Sequence, residues 1–242
     1  MKLKASLKYK LHSYLLPLSI FYGAILLLPA LSGPLFSAKI GSVSMVGNDF
    51  ATLIFIFVLG LNSVKDSFKL MAVNGRTRRT AFFAITLGTL VACAFMAAAD
   101  MLLGPIFSRV YARYGTLYDV LYGKAQGLGD ILVEYGWRFA LYGFAALSGV
   151  WISALYYRMS KGFKIGVSVG VPALLVYVRA VGGSFSKTFV AAMRAFWATV
   201  KYMFGFGGKE PQPAMFCLWG AVLILLSAII FWACMRRAEV RE

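Results

Sequence analysis

Lys65-Asp66-Ser67-Phe68-Lys69-Leu70-Met71-Ala72-Val73-Asn74-Gly75-Arg76-Thr77-Arg78-Arg79-Thr80 is a polar island between two apolar runs. Residues 50–64 precede it with almost no polar side chain, and residues 81–103 follow it, again nearly all apolar. The island holds five basic residues, a helix-capable apolar set (Phe68, Leu70, Met71, Val73) and an Asn74-Gly75 stop. It is too short to be a domain. With a membrane helix on either side it reads as a small docking element, a place where a soluble partner can push.

Composition supports membrane helices around it. Of the 242 residues, 60% are hydrophobic and 14% charged; the mean hydropathy is +0.75. Soluble chains of this length rarely carry so few charges and so many long apolar runs. Lipid admits only helices or closed barrels, because every backbone polar group must be satisfied internally. The runs here are continuous, not alternating, so the expected fold is all-α and polytopic. The net charge of +16 sits in clusters at the ends of the runs. That pattern fits topology determinants and contacts with anionic headgroups, not nucleic acid. Cys93, Cys217 and Cys234 lie inside apolar runs without CxxC spacing, which argues against disulfides or zinc and for inert thiols.

Six spans of about 20 residues are expected, at 13–33, 46–64, 81–103, 138–157, 163–181 and 214–235, in a single domain covering 1–242. The fifth is short, kinked or tilted, because it contains Pro172 and ends at Arg179. Basic residues 2, 4, 8 and 10 precede the first apolar run, as in a signal peptide, but six spans work better with that helix retained. Residues 1–12 are expected to lie along the headgroups as an amphipathic segment. Lys/Arg asymmetry sets the orientation. With the N-terminus inside, fifteen basic residues fall in short inner segments and ten in longer outer ones, leaving both termini cytoplasmic in a cell-membrane protein.

Two outer segments stand out. Residues 104–137 carry Tyr111, Tyr114, Tyr118, Tyr122 and Tyr135, which suit a membrane interface, and short interfacial helices are expected at 106–110 and 117–121. Within 182–213, Lys187, Arg194 and Lys201 recur every seven residues beside many aromatics, as an amphipathic helix on the outer leaflet would require. A seventh span there is disfavoured, since Arg194 would sit at its centre and the basic C-terminus would move outside.

Enzyme motifs are missing. Gly123-Lys124 and Gly208-Lys209 do not fit a P-loop, no HExxH or GxSxG occurs, and the one histidine, His12, lies in the basic N-terminal segment. No cofactor or metal site is expected, and any ATP hydrolysis belongs to a partner. Asp100 is the one carboxylate within an apolar run. It reads as a functional intramembrane charge or as a helix-end carboxylate at the headgroups; the second is preferred because the span can end at Ala99. Arg138 and Arg179 are candidate partners for it. A proton- or ion-coupled carrier is weakened by the lack of carboxylates or histidines in mid-span. Gly162, Gly166 and Gly170, four apart, suit close helix packing within the subunit or at a dimer seam.

The island and its surroundings resemble the permease subunits of bacterial ABC-2-type transporters. Residues 1–12 match the family's amphipathic N-terminal segment, 65–72 its coupling helix and 182–208 its outer helical segment. The run Phe68 to Thr80, followed by Phe82-Phe83, looks like the recurring coupling segment, with Thr77 where Ser is commoner. The resemblance implies a permease that pairs with itself or a similar permease and with separate ABC ATP-binding subunits. It would export an amphipathic substrate such as a peptide antibiotic or lipid. Phe68, Leu70, Met71, Gly75, Arg76, Arg78 and Arg79 would couple it to the ATPase: an apolar knob, a turn and a headgroup anchor. The alternative is a non-transporting membrane sensor or assembly subunit, whose basic loops bind lipid or a partner.

Overall fold

A computed structural model describes residues 2–36, 45–46, 48–75, 77–110, 114–181, 187–208 and 210–236. The elements run α1 (Lys2–Phe36), β1 (Met45–Val46), α2 (Asp49–Asn62), α3 (Lys65–Val73), α4 (Arg78–Val110), β2 (Tyr114–Gly115), α5 (Leu117–Tyr122), α6 (Leu128–Arg158), α7 (Lys161–Val181), α8 (Lys187–Met203) and α9 (Pro213–Arg236). Among the described residues the fold is all-helical apart from a two-residue parallel pairing of β1 with β2. Among the described residues four helices, α1, α4, α6 and α9, are long and apolar enough to cross a membrane by length and composition.

The six expected spans thus resolve differently. The second is the 14-residue α2, about 21 Å of helix against a hydrocarbon core of about 30 Å. The fifth lies in α7, which contains Pro172. The expected N-terminal amphipathic segment is not a separate piece: α1 runs through it as one 35-residue helix. The expected helix at 106–110 is the last part of α4, and α6 begins at Leu128, so Arg138 lies well inside a helix and not at its start.

Local chemistry sets the boundaries around the island. The Asn74 amide and side-chain nitrogen both donate to the Leu70 carbonyl, at 3.1 and 2.8 Å, closing α3. Gly75 then turns the chain with φ +63°, a left-handed conformation that costs a residue with a Cβ. Thr77 Oγ1 accepts the Thr80 amide at 3.3 Å and opens α4. Arg78 would be unfavourable at a helix N-terminus, but its guanidinium donates to the Arg236 carbonyl at 2.7 Å. There it faces the negative end of α9.

The main seams join α6 to α9, α2 to α6, α1 to α4 and α4 to α6. The α2–α6 seam is close because it is built on glycine. A Cβ on Gly60 would overlap the Ala146 carbonyl, and one on Gly149 the Phe57 carbonyl. Gly162, Gly166 and Gly170 make no such approach, and an added Cβ there meets nothing within 4 Å. The expectation of close packing within the subunit fails at those three positions. Helix α7 is tied to α6 by the Tyr156 and Ser168 hydroxyls, 2.8 Å apart, and α8 touches α9 with its described side chains from Val190 to Thr199 exposed.

Candidate functional site

Residues 134, 138 and 142 recur every four positions along α6, so Glu134, Arg138 and Tyr142 share one face. That face meets Asp49, the first residue of α2, and Asp100 of α4, with Tyr22 of α1 completing the group. Asp49, Asp100 and Arg138 are 3%, 5% and 1% exposed, so this charge cluster is buried.

Arg138 is the hub. Its Nη1 bonds to Asp49 Oδ1, while Nη2 and Nε donate to Glu134 Oε1 at 2.8 and 3.1 Å. Asp49 also accepts the Leu117 amide at 2.5 Å, which ties the start of α5 to the start of α2. Buried charges need such pairing, because removing one partner strands the other away from water. Asp100 is held by hydroxyls instead: Tyr142 lies 2.7 Å from Oδ2 and Tyr22 3.0 Å from Oδ1. Tyr142 is also 3.2 Å from Asp49 Oδ1, and Tyr22 is 3.2 Å from the Met96 carbonyl. Asp100 is therefore no helix-end carboxylate, since α4 runs on to Val110. Nor does Arg138 pair with it: among the described residues Arg138 bridges Asp49 and Glu134. The side chain of Arg179 lies outside the described residues.

A cavity of about 440 Å³ opens beside the cluster. Asp100, Glu134 and Arg138 contribute to its wall together with Asp119, Lys124, Pro105 and Ile131. Helix α5 closes one side, its start fixed by a reciprocal cap between Thr116 and Asp119. Tyr118 and Tyr122 of α5 pack on Trp137. Burial, then the Glu134 and Asp130 charges, push the Tyr118 hydroxyl up to about 12. Burial likewise raises Tyr122, which donates to the Phe204 carbonyl at 2.6 Å.

The island lies at the other end of α2 and α4. Phe68 and Met71 do not project outward. They are 4% and 2% exposed, packed with Ile85, Leu147, Val150, Phe231 and Met235. The face that α3 leaves open carries Leu70 and Val73, 43% and 79% exposed. Arg79 is exposed, Arg78 caps α9, and Arg76 lies outside the described residues. Beside α3, Lys10 of α1 is buried, not spread on headgroups. Its ammonium donates to the Ser63 carbonyl at 3.0 Å and Ser67 Oγ at 2.7 Å, over the Tyr14 ring. A cation at the C-terminal end of α2 is favoured by the helix dipole.

The sequence singles out Asp100 and Arg138 but not Tyr22, Asp49, Glu134 or Tyr142. The four-residue spacing of Glu134, Arg138 and Tyr142 was the available signal. Tyr22 and Asp49 gave none, because only tertiary packing brings them in. No known protein family, curated protein or solved structure matches this chain.

Proposed function

We propose that the chain is the membrane-spanning permease subunit of an ATP-driven exporter of the ABC-2 type, energised by separate ATP-binding subunits. The observation that carries this reading is α3, a nine-residue helix between α2 and α4 with two different faces. One face packs on α4 and α6 through Phe68 and Met71, in a buried cluster that α9 also enters; the other presents Leu70 and Val73 to solvent. A push on the open face is passed to three long helices through packed side chains, as coupling to a soluble motor requires. The division of labour therefore differs from a simple knob: Phe68 and Met71 transmit, and Leu70 and Val73 contact the ATPase. In this reading the short α2 and α7 each add a span to the four long helices, making six, so that both termini and α3 face the cytoplasm; the substrate is an amphipathic compound such as a peptide antibiotic or lipid. A second copy, or a similar permease, completes the assembly.

The test is affinity capture of the detergent-solubilised chain from its native host. The expected result is a co-purifying soluble P-loop ATPase, lost on Leu70→Asp with Val73→Asp while the chain stays folded. Recovery of the folded chain without any ATPase overturns the reading.

The second reading is a non-transporting membrane sensor or assembly subunit. The exposed faces of α7 and α8 favour it, since they fit a partner other than this chain's own core. Substrate transport by reconstituted vesicles separates the two.

A further inference from the structure

We propose that Asp100 is a proton-binding site, loaded and unloaded through the cavity beside α5. The hydrogens and charges of the cluster carry this independently of the exporter reading.

Two phenols, Tyr22 and Tyr142, make four close oxygen contacts: Tyr22 with Asp100 and the Met96 carbonyl, Tyr142 with Asp100 and Asp49. Each phenol owns one hydrogen. With both carboxylates ionised, Tyr142 can donate to only one of them. Its oxygen then faces the other carboxylate with no hydrogen between, an opposition that a buried site punishes. One added hydrogen removes the conflict. Placed on Asp100 Oδ2, it donates to the Tyr142 oxygen across the 2.7 Å contact, and Tyr142 donates onward to Asp49. Both Asp49 oxygens already accept, Oδ1 from the Arg138 guanidinium and Oδ2 from the Leu117 amide, so the place for that hydrogen is on Asp100.

Charge points the same way. The cluster holds three carboxylates, Asp49, Asp100 and Glu134, against one guanidinium, Arg138. Among the described residues no cation lies within ion-pair distance of Asp100. A proton there brings the cluster from two excess negative charges to one, and that one is Glu134, whose side chain reaches the cavity. The groups facing Asp100 are Tyr22 from α1, Asp49 and Thr52 from α2, and Arg138 and Tyr142 from α6, with Glu134, Asp119 and Lys124 across the cavity. Loss of the proton leaves Asp49 and Asp100 competing for the one Tyr142 hydrogen, and so weakens the tie of α6 to α2 or to α4. The packing at this end is therefore proton-sensitive.

The test is infrared spectroscopy of the full chain in lipid nanodiscs at neutral pH. The expected result is a protonated-carboxyl carbonyl band that shifts in D2O, vanishes in Asp100→Asn and persists in Asp100→Glu. Thermal unfolding is the second readout. Asp100→Asn, whose amide copies a protonated acid, is expected to unfold at the wild-type temperature, while Asp49→Asn unfolds well below it. The proposal is overturned by the absence of the band, by its survival in Asp100→Asn, or by Asp100→Asn folding no better than Asp49→Asn. Stability that follows sodium or potassium concentration at fixed pH also overturns it, because a bound cation would then balance the charge.

Discussion

At the α2–α6 seam, a methyl on Gly60 or Gly149 would run into the backbone of the opposite helix; along α7, a methyl on Gly162, Gly166 or Gly170 meets empty space. Both regions carry glycine in apolar helices. What separates them is the partner. Gly60 faces Ala146 and Gly149 faces Phe57 and Leu61, so each gap is met by backbone from the other side. A regular row of small residues permits close approach, but a complementary surface is needed to use it. The most disruptive test of this contrast is leucine at the two kinds of site. Gly60→Leu is expected to cost about 4 kcal/mol or more, the scale of the rare severe substitutions, and to leave no monodisperse protein on size exclusion. Gly166→Leu should leave the chain within about 0.5 kcal/mol of wild type. Equal behaviour of the two would show that the seam is not the core.

A similar contrast applies to charge. Arg138, buried between Asp49 and Glu134, should cost about 3–5 kcal/mol when replaced by methionine, because two carboxylates lose their counterion. Arg194 on α8 is exposed, and Arg194→Met should be near neutral. The double variant Arg138→Met with Asp49→Leu should recover part of the loss, since it removes the more deeply buried of the two stranded carboxylates and leaves Glu134. Thermal unfolding in nanodiscs reads all three.

Within α3 the same distinction runs between two faces of one helix. Phe68→Ala empties a site among Leu147, Phe231 and Met235 and should cost about 3 kcal/mol. Leu70→Ala, at an exposed position, should change stability by less than about 0.5 kcal/mol. Denaturant unfolding measures both. An equal cost would mean that α3 is enclosed on both sides.

How much of this was legible in sequence follows from the range of each interaction. The break at residues 65–80 and the turn at Gly75 are local, written in a change of hydropathy and an Asn-Gly pair. The long helices are also local, since run length alone announces them. The orientation of α3 was misjudged because an apolar stripe says that a face is covered, not by what. Phe68 and Met71 turn inward because α4 and α6 lie there. Arg138 stands at the head of an apolar run, which suggests a helix start; its carboxylate partners lie on α2 and one turn earlier on α6. Asp49 falls within the expected second span and carries no signal of its own in sequence. Its role arises from residues 68 and 89 positions away, Leu117 and Arg138, which no window of sequence spans.

The finest form of the comparison puts one methyl in two open places. Gly75 and Gly166 both have room for a Cβ, so steric overlap is absent from each. Only backbone conformation differs: Gly75 sits at φ +63°, and Gly166 is within a helix. Alanine at Gly75 should therefore destabilise by about 1 kcal/mol, because a side chain disfavours the left-handed region. Alanine at Gly166 should stabilise by about 0.5–1 kcal/mol, because it reduces the freedom of the unfolded chain and suits the helix. Opposite signs from the same substitution, read by thermal unfolding side by side, would separate backbone strain from packing. A loss at Gly166 instead would mean that something outside this chain sits against α7, which is the face a second copy or another partner would use.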